Sequence, residues 1–121
     1  MENAKPDTRG ITLAYGSFGL KAETAGRIRS NQLEAARKAM ARQMTKTGKS
    51  WIRIFPDRPY TAKPAEVGMG KGKGDPQGFC SEIRQGRVIF EIDGMDEATA
   101  REALRKAGTK LPVRTKFISR A

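Results

Sequence analysis

The chain contains no histidine and a single cysteine, Cys80. Without histidine, most of the usual acid–base relays and Ser–His or Cys–His nucleophile pairs cannot be assembled. One thiol cannot close an internal disulfide, and a zinc site needs more nitrogen and sulfur ligands than it supplies. Cys80 lies in a strand-like run, where a small buried core residue is expected. Hydrophobic residues make up only 37% of the 121 positions and aromatics 7%, enough for one modest core. No apolar run is long enough to span a bilayer. The stretch MENAKPDTRG mixes acids and bases and lacks an h-region, so it does not read as a secretory signal, and Glu2 and Asp7 argue against a transit peptide. A soluble intracellular protein is expected, with a short extension over residues 1–10 and a single domain over 11–121.

Acidic residues are also scarce. Asp and Glu number 13 against 24 Lys and Arg, a formal net charge of +11. Such a surplus on a small domain calls for a polyanionic partner, nucleic acid first and an anionic membrane surface second. The surplus is uneven. Residues 1–74 carry a balance of +9 and residues 75–121 only +2, so the first two thirds should hold most of the anion-facing surface.

ITLAYGSFGLK (Ile11–Lys21) alternates apolar with small or polar residues and reads as strands with a bend or bulge at a glycine. Asn31 and Glu34 have capping-box spacing, with Ser30 as a rival N-cap. Leu33, Ala36, Met40 and Met44 then share one helical face, and Gly48 is placed to stop the helix. Lys38, Arg42 and Lys46 recur every four residues on the opposite face. A stripe of like charge costs a few tenths of a kcal/mol per pair, roughly, which points to an external anion. SWIRIF (Ser50–Phe55) has apolar residues on both faces and is expected as a central strand, ended by the turn Pro56-Asp57-Arg58-Pro59. Phe79–Arg84 and Arg87–Asp93 read as two strands of a hairpin turning at Gln85-Gly86. A second helix begins near Asp96, buries Ala100, Ala103, Leu104, Ala107 and Leu111, and stops at Pro112; Val113–Ser119 is a last strand. The order favours an α+β fold, a mainly antiparallel sheet with two helices packed on one face in a two-layer sandwich.

Between these parts lies EVGMGKGKGDP (Glu66–Pro76), where glycine recurs at every second position from Gly68 to Gly74. Glycines without Cβ let a backbone pass very close to another surface, and Lys71 and Lys73 add point charges suited to phosphate oxygens. A nucleotide-binding loop is a poor match. Gly72-Lys73 is followed by Gly74 where the Walker pattern needs Ser or Thr, and Gly48-Lys49-Ser50 is preceded by Gln43 where it needs glycine. A flexible linker remains open, although nothing about a spacer requires alternating lysines. A membrane anchor would need an aromatic or aliphatic face that the loop lacks.

Taken in order, YGSFGLKA (Tyr15–Ala22), QLEAARKAM (Gln32–Met40), WIRIFPDRPYTAKPAEV (Trp51–Val67), MGKGKG (Met69–Gly74), GRVIFEIDG (Gly86–Gly94) and KLPVRTKFIS (Lys110–Ser119) resemble the bacterial ribosomal protein L-sixteen family. The resemblance spans about Gly10 to Ser119. It implies an α+β sandwich without enzymatic activity or cofactor. It further implies a monomer within the cytoplasmic ribosome, in preference to an organellar one, that takes no part in membranes. The implied partners are large-subunit ribosomal RNA near the peptidyl transferase centre, A-site tRNA and neighbouring large-subunit proteins, with late entry into subunit assembly. By the same analogy Met69, Gly70, Lys71, Gly72, Lys73 and Gly74 lie in the loop that reaches toward the functional centre and tRNA. Arg37, Lys38 and Arg42 match the family's basic helix, with Lys46 continuing its stripe, and Arg53 and Arg58 match its central strand and turn. Lys21 completes the expected RNA-facing set. Two departures stand out. The family's long basic N-terminal arm is represented only by Lys5 and Arg9, and Gly68 replaces the arginine that many members carry before the methionine.

Two other function classes compete with a structural ribosomal protein. One is a stand-alone binding module, such as an assembly factor, which a high-salt wash would release from the subunit. The other is an enzyme acting on RNA. Its only support is the supply of lysines and acids. Glu82 and Glu91 could face each other across the hairpin but read more simply as surface cross-strand residues. Asp93, Asp96 and Glu97 cluster at a helix start, where capping explains them. Trp51, Phe55, Phe79, Phe90 and Phe117 are expected in the core, and Tyr15, Phe18 and Tyr60, nearer turns, are the aromatics placed to stack on a nucleotide.

Overall fold

The computed structural model describes residues 12–60 and 78–120. Strands β1 (Phe18–Ala22), β2 (Gly26–Arg29), β3 (Lys49–Ile52), β4 (Arg58–Tyr60), β5 (Gly78–Ile83), β6 (Val88–Asp93) and β7 (Thr115–Ser119) accompany helices α1 (Ser30–Ala41) and α2 (Glu97–Gly108). The α+β class is as expected. The strands form two sheets, a four-stranded one in the order β3-β6-β1-β7 and a three-stranded one in the order β2-β5-β4, and the pairings are antiparallel. The helices pack on each other; α2 also meets the first sheet and α1 the second. One continuous cluster joins all of this, from Leu20 and Ile28 through Leu33, Ala36 and Met40 to Phe90, Ala103, Leu104 and Val113.

The expected hairpin between β5 and β6 does not form. β5 pairs with β2 and β4, whereas β6 pairs with β1 and β3. The turn itself exists: Arg87 N–H donates to the Arg84 carbonyl at 3.2 Å, and Gly86 takes φ +96°, a left-handed value that glycine adopts without strain. But Gly86 N–H donates to the Ala22 carbonyl, and Ala22 N–H to that of Arg87, both at 2.8 Å. These bonds hand the chain over to β1 and make the turn a corner between sheets. The place a hairpin partner would take beside β5 is filled by β2, a four-residue strand with no strong pattern of its own.

SWIRIF lies at an edge of its sheet, not at its centre. Its both-sided apolar pattern leaves Ile52 40% and Phe55 78% exposed, and Phe79 of β5 is 50% exposed, so two of the five expected core aromatics lie outside the core. Phe90 is fully buried, and Trp51 and Phe117 are half-buried. Helix α1 starts two residues earlier than the Asn31–Glu34 spacing indicated and one earlier than the rival cap at Ser30, with Arg29 as the N-cap and its N–H donating to Gln32 Oε1 at 2.8 Å. It ends at Ala41, well before Gly48. Helix α2 begins as expected, with the Asp96 carboxylate accepting from Thr99 N–H at 3.3 Å. Cys80 is buried.

The middle of β6 carries an unexpected group. Glu91, read from sequence as a surface residue, is fully buried. Its carboxylate accepts from the backbone N–H groups of Ala14 (3.0 and 3.1 Å), Tyr15 (2.7 Å) and Gly16 (2.7 Å), and it ion-pairs with the Arg53 guanidinium. Gly16 lies so flush on β6 that a Cβ there would sit 2.5 Å from the Ile92 carbonyl oxygen. Burial pushes the Glu91 carboxyl up. The N–H donors of Gly16, Ala14 and Tyr15, then Arg53, outweigh it and hold the group below its ordinary range.

This packing sets the expected response to substitution. Phe90→Ala should cost about 3–5 kcal/mol in urea denaturation, whereas Phe55→Ala and Phe79→Ala should each stay within about 0.5 kcal/mol of the parent chain. Glu91→Gln should cost on the order of 3 kcal/mol at neutral pH, because Arg53 and the backbone donors lose their anion. A carboxyl whose folded-state pKa is lowered contributes stability that is fully present above its unfolded value, near 4.5, and lost as pH falls through the folded value. The gap between Glu91→Gln and parent, measured from neutral pH downward, should therefore narrow only in acid.

Candidate nucleic-acid interface

The positive charges divide into those neutralised within the fold and those left over. In α2, Arg101 pairs with Glu97 at 3.1 Å, and Arg105 (2.8 Å) and Lys106 (4.0 Å) both pair with Glu102. These i,i+3 and i,i+4 pairs make the outer face of α2 an ordinary mixed-charge surface. The hydrogen bond from Arg105 holds the Glu102 carboxyl below its usual range. Between β2 and β5, Arg27 faces Glu82 in register, 3.5 Å apart. Glu82 thus meets β2, and Glu91 points into the fold, so the two carboxylates do not form the cross-hairpin pair considered from sequence.

Helix α1 is different. Arg37 is paired with Glu34, whose carboxyl the guanidinium hydrogen bond lowers. Lys38 in the last turn, Arg42 at the C-cap and Lys46 in the following turn are all exposed and form no ion pair with a carboxylate among the described residues. The helix ends before Lys46, so the three do not form one helical stripe. They run along the helix C-terminus and out of it. Lys38 and Arg42 there also complement the negative end of the helix dipole, which supplies a local reason for cations at two of the three positions.

Lys21 lies elsewhere. It stands in β1 directly opposite Lys116 of β7, and like charges facing each other across a ladder are unfavourable. Both line a shallow groove of about 480 Å³ with Arg114, and none of the three has an ion pair among the described residues. The family resemblance names Lys21 but not this grouping, because strand pairing brings together residues nearly a hundred positions apart.

Arg53 has an internal role. Beyond Glu91, its guanidinium donates to the Thr12 carbonyl at 3.3 Å and lies 5.5 Å from the centre of the Tyr15 ring. Arg58 lies in β4, in register with Cys80. Met69, Gly70, Lys71, Gly72, Lys73 and Gly74 lie outside the described residues. The sequence does hold a signal for the burial of Glu91: a carboxylate flanked on both sides by apolar residues, in VIFE followed by Ile92, calls for a buried partner, whereas Asp93 closes the strand. Among the described residues no group of His, Cys, Asp or Glu could hold a metal ion, and no helix is long and apolar enough to cross a membrane. Asp93 instead accepts from the Ser17 hydroxyl at 3.1 Å and Gly94 N–H at 2.8 Å.

Known proteins of the same pattern exist. The chain is 57% identical over 114 residues to the large ribosomal subunit protein uL16 of Leptospira biflexa, covering 94% of this chain and 83% of that one. It is 54% identical over 113 residues to its namesake in Halorhodospira halophila, and 53% over the same length to that of Verminephrobacter eiseniae, in both cases covering 93% of this chain and 82% of the relative. The family model described as ribosomal protein L16p/L10e matches residues 1–118. With nearly its whole length accounted for in this way, the chain belongs to the ribosomal protein L16p/L10e family.

Proposed function

We propose that this protein is a structural constituent of the large ribosomal subunit in the cytoplasm, which binds large-subunit ribosomal RNA near the peptidyl transferase centre. In this reading it helps position A-site tRNA, joins late in subunit assembly, and acts as a monomer among neighbouring large-subunit proteins. Its family is one of structural ribosomal proteins without enzymatic activity.

The observation that carries the RNA contact is the sorting of charge. Internal carboxylates pair with Arg27, Arg37, Arg53, Arg101 and Arg105, while Lys38, Arg42 and Lys46 are left without an ion pair among the described residues. Exposed, unneutralised cations displace counterions from a phosphate backbone, and that release drives association. Lys21 with Lys116 and Arg114 provides a second locus, in a groove that Glu23 also lines, and Arg37 and Arg58 are assigned to the interface by the family resemblance alone. Arg53 contributes by holding Glu91, not by reaching outward. The loop Met69–Gly74 is assigned the tRNA-facing contact on its sequence, with Lys71 and Lys73 as the cations and the glycines permitting close backbone approach.

Replacing Lys38, Arg42 and Lys46 together with Gln should lower the dependence of log K on log salt for large-subunit RNA by about 2 units, at roughly 0.7 for each phosphate that is no longer neutralised. The same variant should enter subunits less efficiently; an unchanged salt slope would remove α1 from the interface. Lys71→Ala with Lys73→Ala should leave the stability within about 0.5 kcal/mol of the parent and slow translation in cells that carry only this variant. Normal translation there would refute the loop's role.

A further inference from the structure

We propose that Tyr15 is a nucleobase-stacking platform, with the guanidinium of Arg120 beside it for the phosphate of the stacked nucleotide; the assignment rests on the RNA-binding reading above. Tyr15 is 59% exposed, yet it is held on several sides. Its N–H donates to Glu91 Oε1 at 2.7 Å, and the N–H groups of Ala14 and Gly16 on either side donate to the same carboxylate. Its ring stacks on Trp51, with centroids 5.8 Å apart and planes 22° from parallel, and the Arg53 guanidinium lies within cation–π range. An exposed ring already fixed in this way loses little further freedom when a flat ligand settles on it.

The charge beside it completes the site. Arg120 is exposed; its guanidinium donates to the Gly16 carbonyl at 2.9 Å, and its N–H donates to that of Ser17 at 2.8 Å. A guanidinium has five N–H donors, and no carboxylate among the described residues takes the rest. Arg53, in contrast, is neutralised by Glu91. The backbone thus anchors an unneutralised cation at Gly16, the residue that follows the exposed Tyr15 in the chain. A nucleotide supplies both a flat ring and an anion, whereas an apolar side chain of a neighbouring protein would cover Tyr15 and leave Arg120 without a counter-charge. Other aromatics fit less well. Phe18 is stacked on Phe117 against the core, and Phe55 and Phe79, though exposed, have no ring partner among the described residues.

Trp51 is the only tryptophan, so its emission reports on this place alone. The full-length protein is titrated at low ionic strength with oligoadenylate and, separately, with heparin, a polyanion without bases. Oligoadenylate should quench Trp51 and heparin should not. Tyr15→Leu should weaken oligoadenylate binding about tenfold with heparin unaffected, Tyr15→Phe should restore it, and Arg120→Gln should weaken both. Oligoadenylate binding that leaves Trp51 emission unmoved and ignores Tyr15→Leu would overturn the platform while the RNA-binding reading stands. Failure of the parent chain to bind either polyanion would overturn both. If Tyr15→Leu spares oligonucleotide binding but loses a neighbouring protein from reconstituted subunits, the surface belongs to that protein and the platform is wrong. The Trp51 measurement on the parent chain requires no substitution, so it decides even if a variant misfolds.

Discussion

One buried carboxylate fixes the geometry on which the rest of this molecule depends. Glu91 sits in the middle of β6, with apolar neighbours on both sides in sequence, and is fully enclosed. A lone ion there would be untenable; three backbone donors and the Arg53 guanidinium make it stable. In exchange, the carboxylate ties the Ala14–Gly16 segment onto the sheet, where no ladder would hold it, and brings Arg53 of the edge segment across to meet it. The N-terminal approach to β1, the end of β3 and the centre of β6 are joined through a single side chain. Tyr15 is carried to the surface by that junction, so a residue that no partner can touch determines what a partner meets.

The parts of this fold that could be read from the sequence are those governed by local rules. The start of α2 follows from Asp96 and its reach to Thr99, and its buried stripe follows from alanine and leucine at helical spacing. The core face of α1 was legible for the same reason. Its end was not, because the helix stops at Ala41 with no glycine or proline to mark it. What sequence missed depends on pairings between distant strands. Gln85-Gly86 carries the chemistry of a turn whatever lies on either side. Whether the chain folds back on β5 or moves to another sheet is decided by hydrogen bonds to Ala22, more than sixty residues earlier. β2 escaped notice because four residues alternating around Ile28 make no periodic signal. The edge position of SWIRIF is a related case: apolar residues on both faces fit a central strand, and equally an edge strand with apolar surface left open, as at Ile52 and Phe55.

The candidate site was legible as charge and not as geometry. Composition and spacing located Lys38, Arg42 and Lys46, but could not separate them from Arg53, which is drawn inward by a carboxylate the pattern had placed on the surface. Lys21 was found without Lys116 or Arg114, its neighbours around the β1–β7 pairing.

The division of cations has a chemical logic. Arg27, Arg37, Arg53, Arg101 and Arg105 take Glu82, Glu34, Glu91, Glu97 and Glu102, and Asp93 and Asp96 are occupied by hydroxyl and backbone donors. The planar, multiply donating guanidinium is the better partner for a carboxylate, and the ammonium of lysine is the better-hydrated group to leave in water. The sorting is not strict: Lys106 shares Glu102 with Arg105, and Arg42, Arg114 and Arg120 are left without an ion pair among the described residues, as are Lys21, Lys38, Lys46 and Lys116. Their repulsion in the free chain is modest at physiological salt, where it is screened over about 8 Å. A phosphate backbone laid against them would relieve that repulsion and release its own counterions at the same time. The positive surplus therefore adds little cost to the isolated fold, and its favourable contribution appears only on contact with a polyanion.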